Sequence, residues 1–501
     1  MTTMLDVRRG LAALATTCAC LILTACGGGG GGGGGSTGST GSTAASVASP
    51  SAPAAVQPTA AISASTATVT AGQPLTLTWS SQDTGATACT ASGAWSGQVA
   101  TSGSQQVTPA AQAGAYTATY TITCGQASNS VAVTVAPPAN AIPIVVDNGP
   151  AGAGGPFNAP FVSVTVCRPG TTVCQTIDHV LLDTGSYGLR LIAPLDGALA
   201  LPTVTSSTGA AVGECGQFVS GYTWGAIVQA DIKLAGETAA AQSIQLIGQA
   251  PGGVATAPTS CSSTGSSMNT VATLGANGIL GVGLFKEDCG QACASSAISA
   301  TYYACASGTC TSTALALDKQ VANPVGAFAG DNNGVVVSLP AVGASGATSL
   351  KGTLTFGIGT QPNNGLGTAT RYVANSSGDF TTVYKGTTMT ASFIDSGSNG
   401  LYFDDTSLPA CTLSTDFYCP TSPQSLNATV MAYDGSASSN VAFTITDIDH
   451  LPGGTVAGWV GGKYDTKKRS GNAFDWGLPF FFGRNVYVGM ATSTSRPYWA
   501  F

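Results

Sequence analysis

Charge is what this sequence has least of. Only 16 Lys+Arg and 23 Asp+Glu occur in 501 residues, or 8% of the chain, where an ordinary globular protein carries about 25%. Helical bundles stay soluble through Glu, Lys and Arg on their outer faces, so the shortage counts against a bundle. Glutamate is nearly missing: Glu214, Glu237 and Glu287 are the only three, and the other acids are Asp, the residue of turns. Two histidines, His179 and His450, leave little room for His-based metal sites or repeated Ser–His–Asp devices. A net charge of -7 offers no basic footprint, which counts against nucleic acid as a partner, and Lys467-Lys468-Arg469 is too short a run to change that. No glycine motif follows a strand and opens a helix, so nucleotide binding has no support and no cofactor is expected. Small residues fill the gap, with 67 Gly, while 44% hydrophobic residues still supply a core. The length allows two to four domains.

Residues 1–26 read as an export signal: Arg8 and Arg9 precede an apolar stretch from Leu11 to Leu23, then Leu23-Thr24-Ala25-Cys26. The stretch is shorter than the roughly 20 residues that span a bilayer. The end of this segment resembles a bacterial lipobox, which implies lipidation of Cys26 and a membrane anchor. Gly27 after the cysteine, rather than Asp, implies outer-membrane sorting. A plain secretory signal that ends near a cysteine is the alternative. Export also suits the 15 cysteines. Cys18 and Cys20 leave with the signal and Cys26 takes lipid, so an even set remains, as a disulfide framework requires. Cys167 with Cys174, across an Arg-Pro-Gly hairpin, and Cys411 with Cys419 are local candidates. Cys289, Cys293, Cys305 and Cys310 form either two disulfides or a metal site, with disulfides preferred in an oxidising compartment and no metal expected. The partners of these four, and of Cys215 and Cys261, are left open.

Residues 27–59 begin with an unbroken glycine run and stay rich in Ser, Thr, Ala and Pro. They predict a flexible tether with a reach on the order of 30 Å. Residues 60–137 change character. Thr76-Leu77-Thr78-Trp79-Ser80, Tyr116–Ile122 and Val131–Val135 alternate with period two between turns, which predicts a small β-sandwich. The segment resembles bacterial Ig-like modules, down to Ala88-Cys89-Thr90-Ala91 and Thr121-Ile122-Thr123-Cys124, and this likeness implies a Cys89–Cys124 bridge and a spacer role. From Asn140 onward short β-like runs and glycine turns continue, too long for one ordinary core, so two lobes are expected, 140–335 and 336–501. The fold class expected is all-β.

One pattern occurs twice. Residues 180–190 read Val-Leu-Leu-Asp-Thr-Gly-Ser-Tyr-Gly-Leu-Arg, and residues 392–402 read Ser-Phe-Ile-Asp-Ser-Gly-Ser-Asn-Gly-Leu-Tyr. Apolar residues carry Asp183 and Asp395 to a strand end. Gly185 and Gly397 permit a tight turn, and backbone N–H groups with Ser186 and Ser398 can donate to the carboxylates. Thr184 and Ser396 stand beside each Asp. If the loops meet, the two carboxyls share one proton: the ionised Asp can deprotonate a water and the protonated one can donate to a carbonyl.

Here the chain resembles the pepsin-like aspartic proteases. Ala276–Gly283 is similar to the apolar-apolar-Gly segment that packs behind the first Asp loop in that family. Phe480-Phe481-Phe482-Gly483, with Arg484–Val488, is taken as its counterpart after the second, and Gly352–Gly357 as the strand opening the second lobe. The likeness implies a bilobal β fold with a central cleft, a peptide or protein substrate, no cofactor, and a monomer. Two departures stand out. At the flap position where the family has Tyr, this chain has Phe218, with Tyr222 four residues on. Where the family has Asp after the second apolar-apolar-Gly, this chain has Arg484.

The residues leave three functions open. A tethered aspartic endopeptidase follows from two intact Asp loops. A pepsin-fold lipoprotein that binds peptides or proteins without turnover follows from the departures. A structural surface protein would use the Asp loops only as turns. Elsewhere, His179 reads as a strand residue, Asp404-Asp405 as a strand end, and Asp447, Asp449 and His450 as a solvated turn.

Overall fold

The computed structural model describes residues 57–110, 115–464 and 472–501. The signal, Cys26, nearly all of the tether and Lys467-Lys468-Arg469 lie outside the described residues. Within them the fold is all-β, and its helices are single turns such as Thr259–Ser262, Val271–Leu274 and Gln291–Ser295.

The first 80 or so described residues form two facing sheets with their own core. In one, Leu75–Gln82 lies between Thr59–Ala64 and Ser102–Val107. In the other, Tyr116–Cys124 lies between Cys89–Gly93 and Ala127–Ala136. Alternation puts Leu75, Leu77 and Trp79 of one sheet against Tyr120, Ile122 and Val133 of the other, where burial of apolar surface holds the layers together. Cys89 and Cys124 are bonded, but across neighbouring strands of one sheet rather than between the two.

The remaining residues form two β halves that share one sheet. Ala141–Val146 is the strand that joins its halves: it pairs antiparallel with Pro160–Cys167 of the first half and with Leu350–Phe356 of the second. Gly334–Leu339 follows in the same sheet, between Leu350–Phe356 and Arg484–Gly489. A division at 335 therefore falls inside a strand and not in a linker. The core is continuous across both halves, from Val164 and Leu182 to Leu354 and Val488 in this sheet and on to Trp476 outside it.

The other ten described cysteines form five more disulfides. Besides Cys167–Cys174 and Cys411–Cys419, the pairs are Cys215–Cys261, Cys289–Cys293 and Cys305–Cys310. The four-cysteine cluster is thus two short bridges.

Asn158 is a second tie between the halves. It is fully buried, with φ 51°, a left-handed conformation that Asn tolerates better than most residues. Its Nδ2 donates to the carbonyls of Asn399 (2.8 Å) and Gly458 (2.9 Å), and its Oδ1 accepts the Gly458 N–H at 2.9 Å. Asn158→Ala would leave the Gly458 N–H and the Asn399 carbonyl without the partner Asn158 gives them, and should cost about 3 kcal/mol of unfolding free energy in a urea titration.

Candidate active site

Strand Cys174–Asp183 becomes wholly buried as it reaches its end, where Val180, Leu181 and Leu182 deliver Asp183. It runs parallel to Gly278–Val282, with Asp183 opposite Gly281, and the chain returns as Tyr187–Ile192 antiparallel to that same strand. The second half repeats the device. Thr387–Ile394 delivers Asp395, Phe393 and Ile394 pair parallel with Asp475 and Trp476, and Leu401–Tyr402 returns antiparallel to them.

The two turns meet and brace each other. Thr184 Oγ1 donates to the Ile394 carbonyl (3.0 Å) and accepts the Ser396 N–H (2.9 Å). Ser396 Oγ donates to the Leu182 carbonyl (2.7 Å) and accepts the Thr184 N–H (3.1 Å). Four buried backbone groups are satisfied across the interface, each the image of another under a local twofold axis.

This brace sets the carboxyls side by side. The N–H of Gly185 donates to Asp183 Oδ1 and that of Gly397 to Asp395 Oδ1, both at 2.8 Å. Ser186 Oγ donates to Asp183 Oδ2 at 2.5 Å. A methyl on Gly185 would lie 2.7 Å from the Asp395 carboxyl carbon, and one on Gly397 would lie 2.9 Å from that of Asp183. Each glycine therefore makes room for the opposite aspartate.

Asp183 is 6% exposed and in hydrogen-bonding contact with Asp395. Loss of water, and next the charge of Asp395, raise its carboxyl to about 8, against the opposing pull of Ser186 and Gly185. The pair therefore keeps one proton at neutral pH. A proton held on one carboxyl beside an ionised partner is the state needed to activate a water and protonate a carbonyl oxygen.

Ser186 and Ser398, alike in sequence, differ in surroundings. Ser398 Oγ lies 2.8 Å from Asp395 Oδ2 and 2.7 Å from Asp475 Oδ2. Asp475 is 1% exposed and joins the site as a third buried acid. It occupies the register position that Ile279 holds in the first half. This corrects the sequence expectation for Phe480–Val488. The strand behind the second Asp loop is Asp475-Trp476, followed by Gly477, whose Cα faces the Ser398 and Gly400 carbonyls as Gly281 faces Ser186 and Tyr187. Phe480 and Phe481 form a buried turn, and Arg484 bonds the Phe480 carbonyl and begins the strand beside Gly334–Leu339. An apolar-apolar-Gly pattern could not find Asp-Trp-Gly; an acid alone in the apolar run Ala473–Phe482 was the available signal.

A hairpin covers the dyad. Its strands are Ala211–Phe218 and Gly221–Leu234, with Val219 and Ser220 at the tip. Phe218 lines a cavity of about 100 Å³ over Asp183 and Asp395, walled by Met268, Leu274 and Ile279, with Asn399 at its polar side. Tyr222 does not enter that cavity. It pairs opposite Gln217, on the other face from Phe218, and packs with Trp224, Tyr303 and Cys261. No phenol of this hairpin replaces the one Phe218 lacks. The hairpin is also stapled. Cys215 is bonded to Cys261, the Tyr222 N–H donates to the Ser266 carbonyl (2.9 Å), and the Met268 N–H donates to the Tyr222 carbonyl (2.9 Å).

The other sequence candidates lie apart. His179 sits beside Asp147 at 3.2 Å. Asp405 accepts from Tyr384 (2.6 Å) and Lys385 (2.9 Å). Asp447 accepts the Asp449 N–H (2.9 Å), and His450 Nδ1 is 2.7 Å from Asp447 Oδ2. Cys411 and Cys419 come close to Asp447 and Asp449, but their sulfurs are spent on each other.

An acid whose carboxyl is raised on folding stabilises the fold most at low pH. For Asp183 that contribution is complete below the unfolded value of 3.8 and is lost as pH rises through about 8. Asp183→Asn removes this dependence. The Tm of the unaltered protein relative to the variant should therefore fall from about pH 4 to about pH 8 and then level off, as calorimetry across that range would record.

No curated protein matches the chain. Among solved structures it is similar to an aspartic proteinase from Irpex lacteus, at 16% identity and a TM-score of 0.38, over 72% of this chain and 96% of that one. Residues 136–501 match the family described as protein of unknown function (DUF3443), and the chain belongs to that family.

Proposed function

We propose that this protein is an aspartic endopeptidase, exported and tethered to the outer membrane through a lipid on Cys26. The single observation that carries the reading is the braced pair: Asp183 and Asp395 in contact, donated to by mirror-image glycine N–H groups, and holding one proton at neutral pH. A peptide would lie extended between the halves, with strand edges supplying backbone hydrogen bonds. The ionised member takes a proton from water and the protonated member donates to the scissile carbonyl oxygen. The apolar wall of Phe218, Met268, Leu274 and Ile279 suits an apolar side chain next to the scissile bond. Phe218 favours a second reading, peptide binding without turnover, because a phenyl ring offers no hydroxyl to the site.

The test is cleavage of a diverse peptide library from about pH 3 to pH 9, with fragments identified by mass spectrometry. The unaltered protein should cleave, and Asp183→Asn and Asp395→Asn should each lose at least ~10²-fold in kcat/KM. The rate should decline as pH rises through about 8, where Asp183 gives up the shared proton. Cleavage by all three proteins alike, or by none at any pH, would remove the endopeptidase reading.

A further inference from the structure

Beside the dyad, on the side of the first Asp loop away from the apolar wall, lies a second cavity of about 220 Å³, lined by Ser186, Phe218 and a buried charged cluster. A water takes about 30 Å³ of the liquid, so the cavity admits a whole side chain. The cluster is Arg190, Glu214, Asp288 and Tyr302. Arg190 Nη2 donates to Glu214 Oε1 and, at 3.0 Å, to Asp288 Oδ2. Tyr302 Oη donates to Asp288 Oδ1 at 2.5 Å. The Arg190 guanidinium also lies 5.7 Å from the centre of the Phe218 ring, which ties the cluster to the flap.

The charge count closes only through a proton on one carboxyl. Two carboxyls face one guanidinium, and Tyr302 adds no charge. Glu214 is 1% exposed and in hydrogen-bonding contact with Asp288, so without a second cation the two acids are held together by a proton on Asp288. Burial, and then the neighbouring Glu214, push Asp288 well above the ordinary carboxylate range, as expected of an acid left without its own cation. Asp288 is also the member most open to the cavity, with 14% of its side chain exposed against 2% for Glu214.

We propose that this cavity is a specificity pocket for a cationic side chain, Lys or Arg, of the peptide held at the dyad. The ammonium or guanidinium would pair with Asp288 and bring the cluster to two carboxylates and two cations. Its stem would lie along Phe218 and the Ser186 loop, as the long apolar stems of such residues commonly do. The proposal rests on the endopeptidase reading, since it places a peptide in the cleft. It adds a preference that the dyad alone does not specify: an apolar residue on one side of the flap tip and a basic one on the other.

The test separates the two readings by measuring binding and turnover independently. Peptides with a reduced, uncleavable bond and either Lys or norleucine at the tested position are titrated by fluorescence polarisation into the full chain and into Asp288→Asn. The Lys peptide should bind the unaltered protein at least ~10-fold tighter, about 1.4 kcal/mol, and that ratio should fall toward one in Asp288→Asn. Cleavable versions should show the same preference in kcat/KM. Equal affinity for Lys and norleucine in the unaltered protein, or an undiminished ratio in Asp288→Asn, overturns the pocket even if cleavage proceeds. A Lys preference without any cleavage supports the pocket and removes only the endopeptidase reading. The Lys-to-norleucine ratio of the unaltered protein stands whether or not the variant folds.

Discussion

The exchange of hydrogen bonds between Thr184 and Ser396 is the constraint on which the site depends. Each hydroxyl accepts the other residue's backbone N–H and donates to a carbonyl on the opposite strand. These groups are buried, and a buried N–H or carbonyl left unpaired costs about 1–3 kcal/mol. The two loops therefore cannot separate or slide without losing several such bonds together. Everything chemical about the site follows from that fixed approach. The glycines must be glycines because the opposite carboxyl fills the space of a side chain, and the carboxyls must share a proton because they cannot move apart to relieve their charge.

Symmetry at the brace is broken in the surroundings, and the differences are electrostatic. Behind Asp395 lies Asp475, linked through Ser398; behind Asp183 the matching position is Ile279. Around the first loop, Arg190, Glu214 and Asp288 form a cluster that leans on the flap. A chain with so few charged residues has therefore placed several of its buried ones within reach of one cleft. In a medium of low polarity each of these groups acts more strongly on its neighbours than on the surface, which makes the cleft the electrostatic centre of the molecule. The flap is held by a disulfide and backbone hydrogen bonds to Cys261–Met268, so its approach to the dyad is set by the fold as well as by any ligand.

Much of this was legible in the residue order. The two Asp loops are repeats with apolar lead-ins, and the all-β class follows from period-two runs, glycine turns and the scarcity of helix-surface charge. Local cysteine pairs could be read because their members stand only seven and eight positions apart. Three features were not legible. Asp475 was hidden because its half-repeat had lost the apolar pattern, so Phe480–Phe482, a stronger apolar run nearby, took its place. Tyr222 looked able to stand in for a missing phenol until strand pairing put it on the opposite face of the hairpin. Arg190, Glu214 and Asp288 are scattered over 98 positions, and no spacing rule joins them.

By itself, then, the sequence determined which residues could act: two aspartates on matched turns, with glycine and hydroxyl neighbours suited to hold carboxylates. These are local properties, set by side-chain chemistry and by the few backbone conformations a short segment allows. Only the tertiary structure decided that Asp183 and Asp395 touch, that they share a proton, and which other charges stand near them. Those are consequences of distance and burial between segments hundreds of positions apart. A carboxyl takes its acidity from what surrounds it in space, and the order of residues along a chain does not contain that.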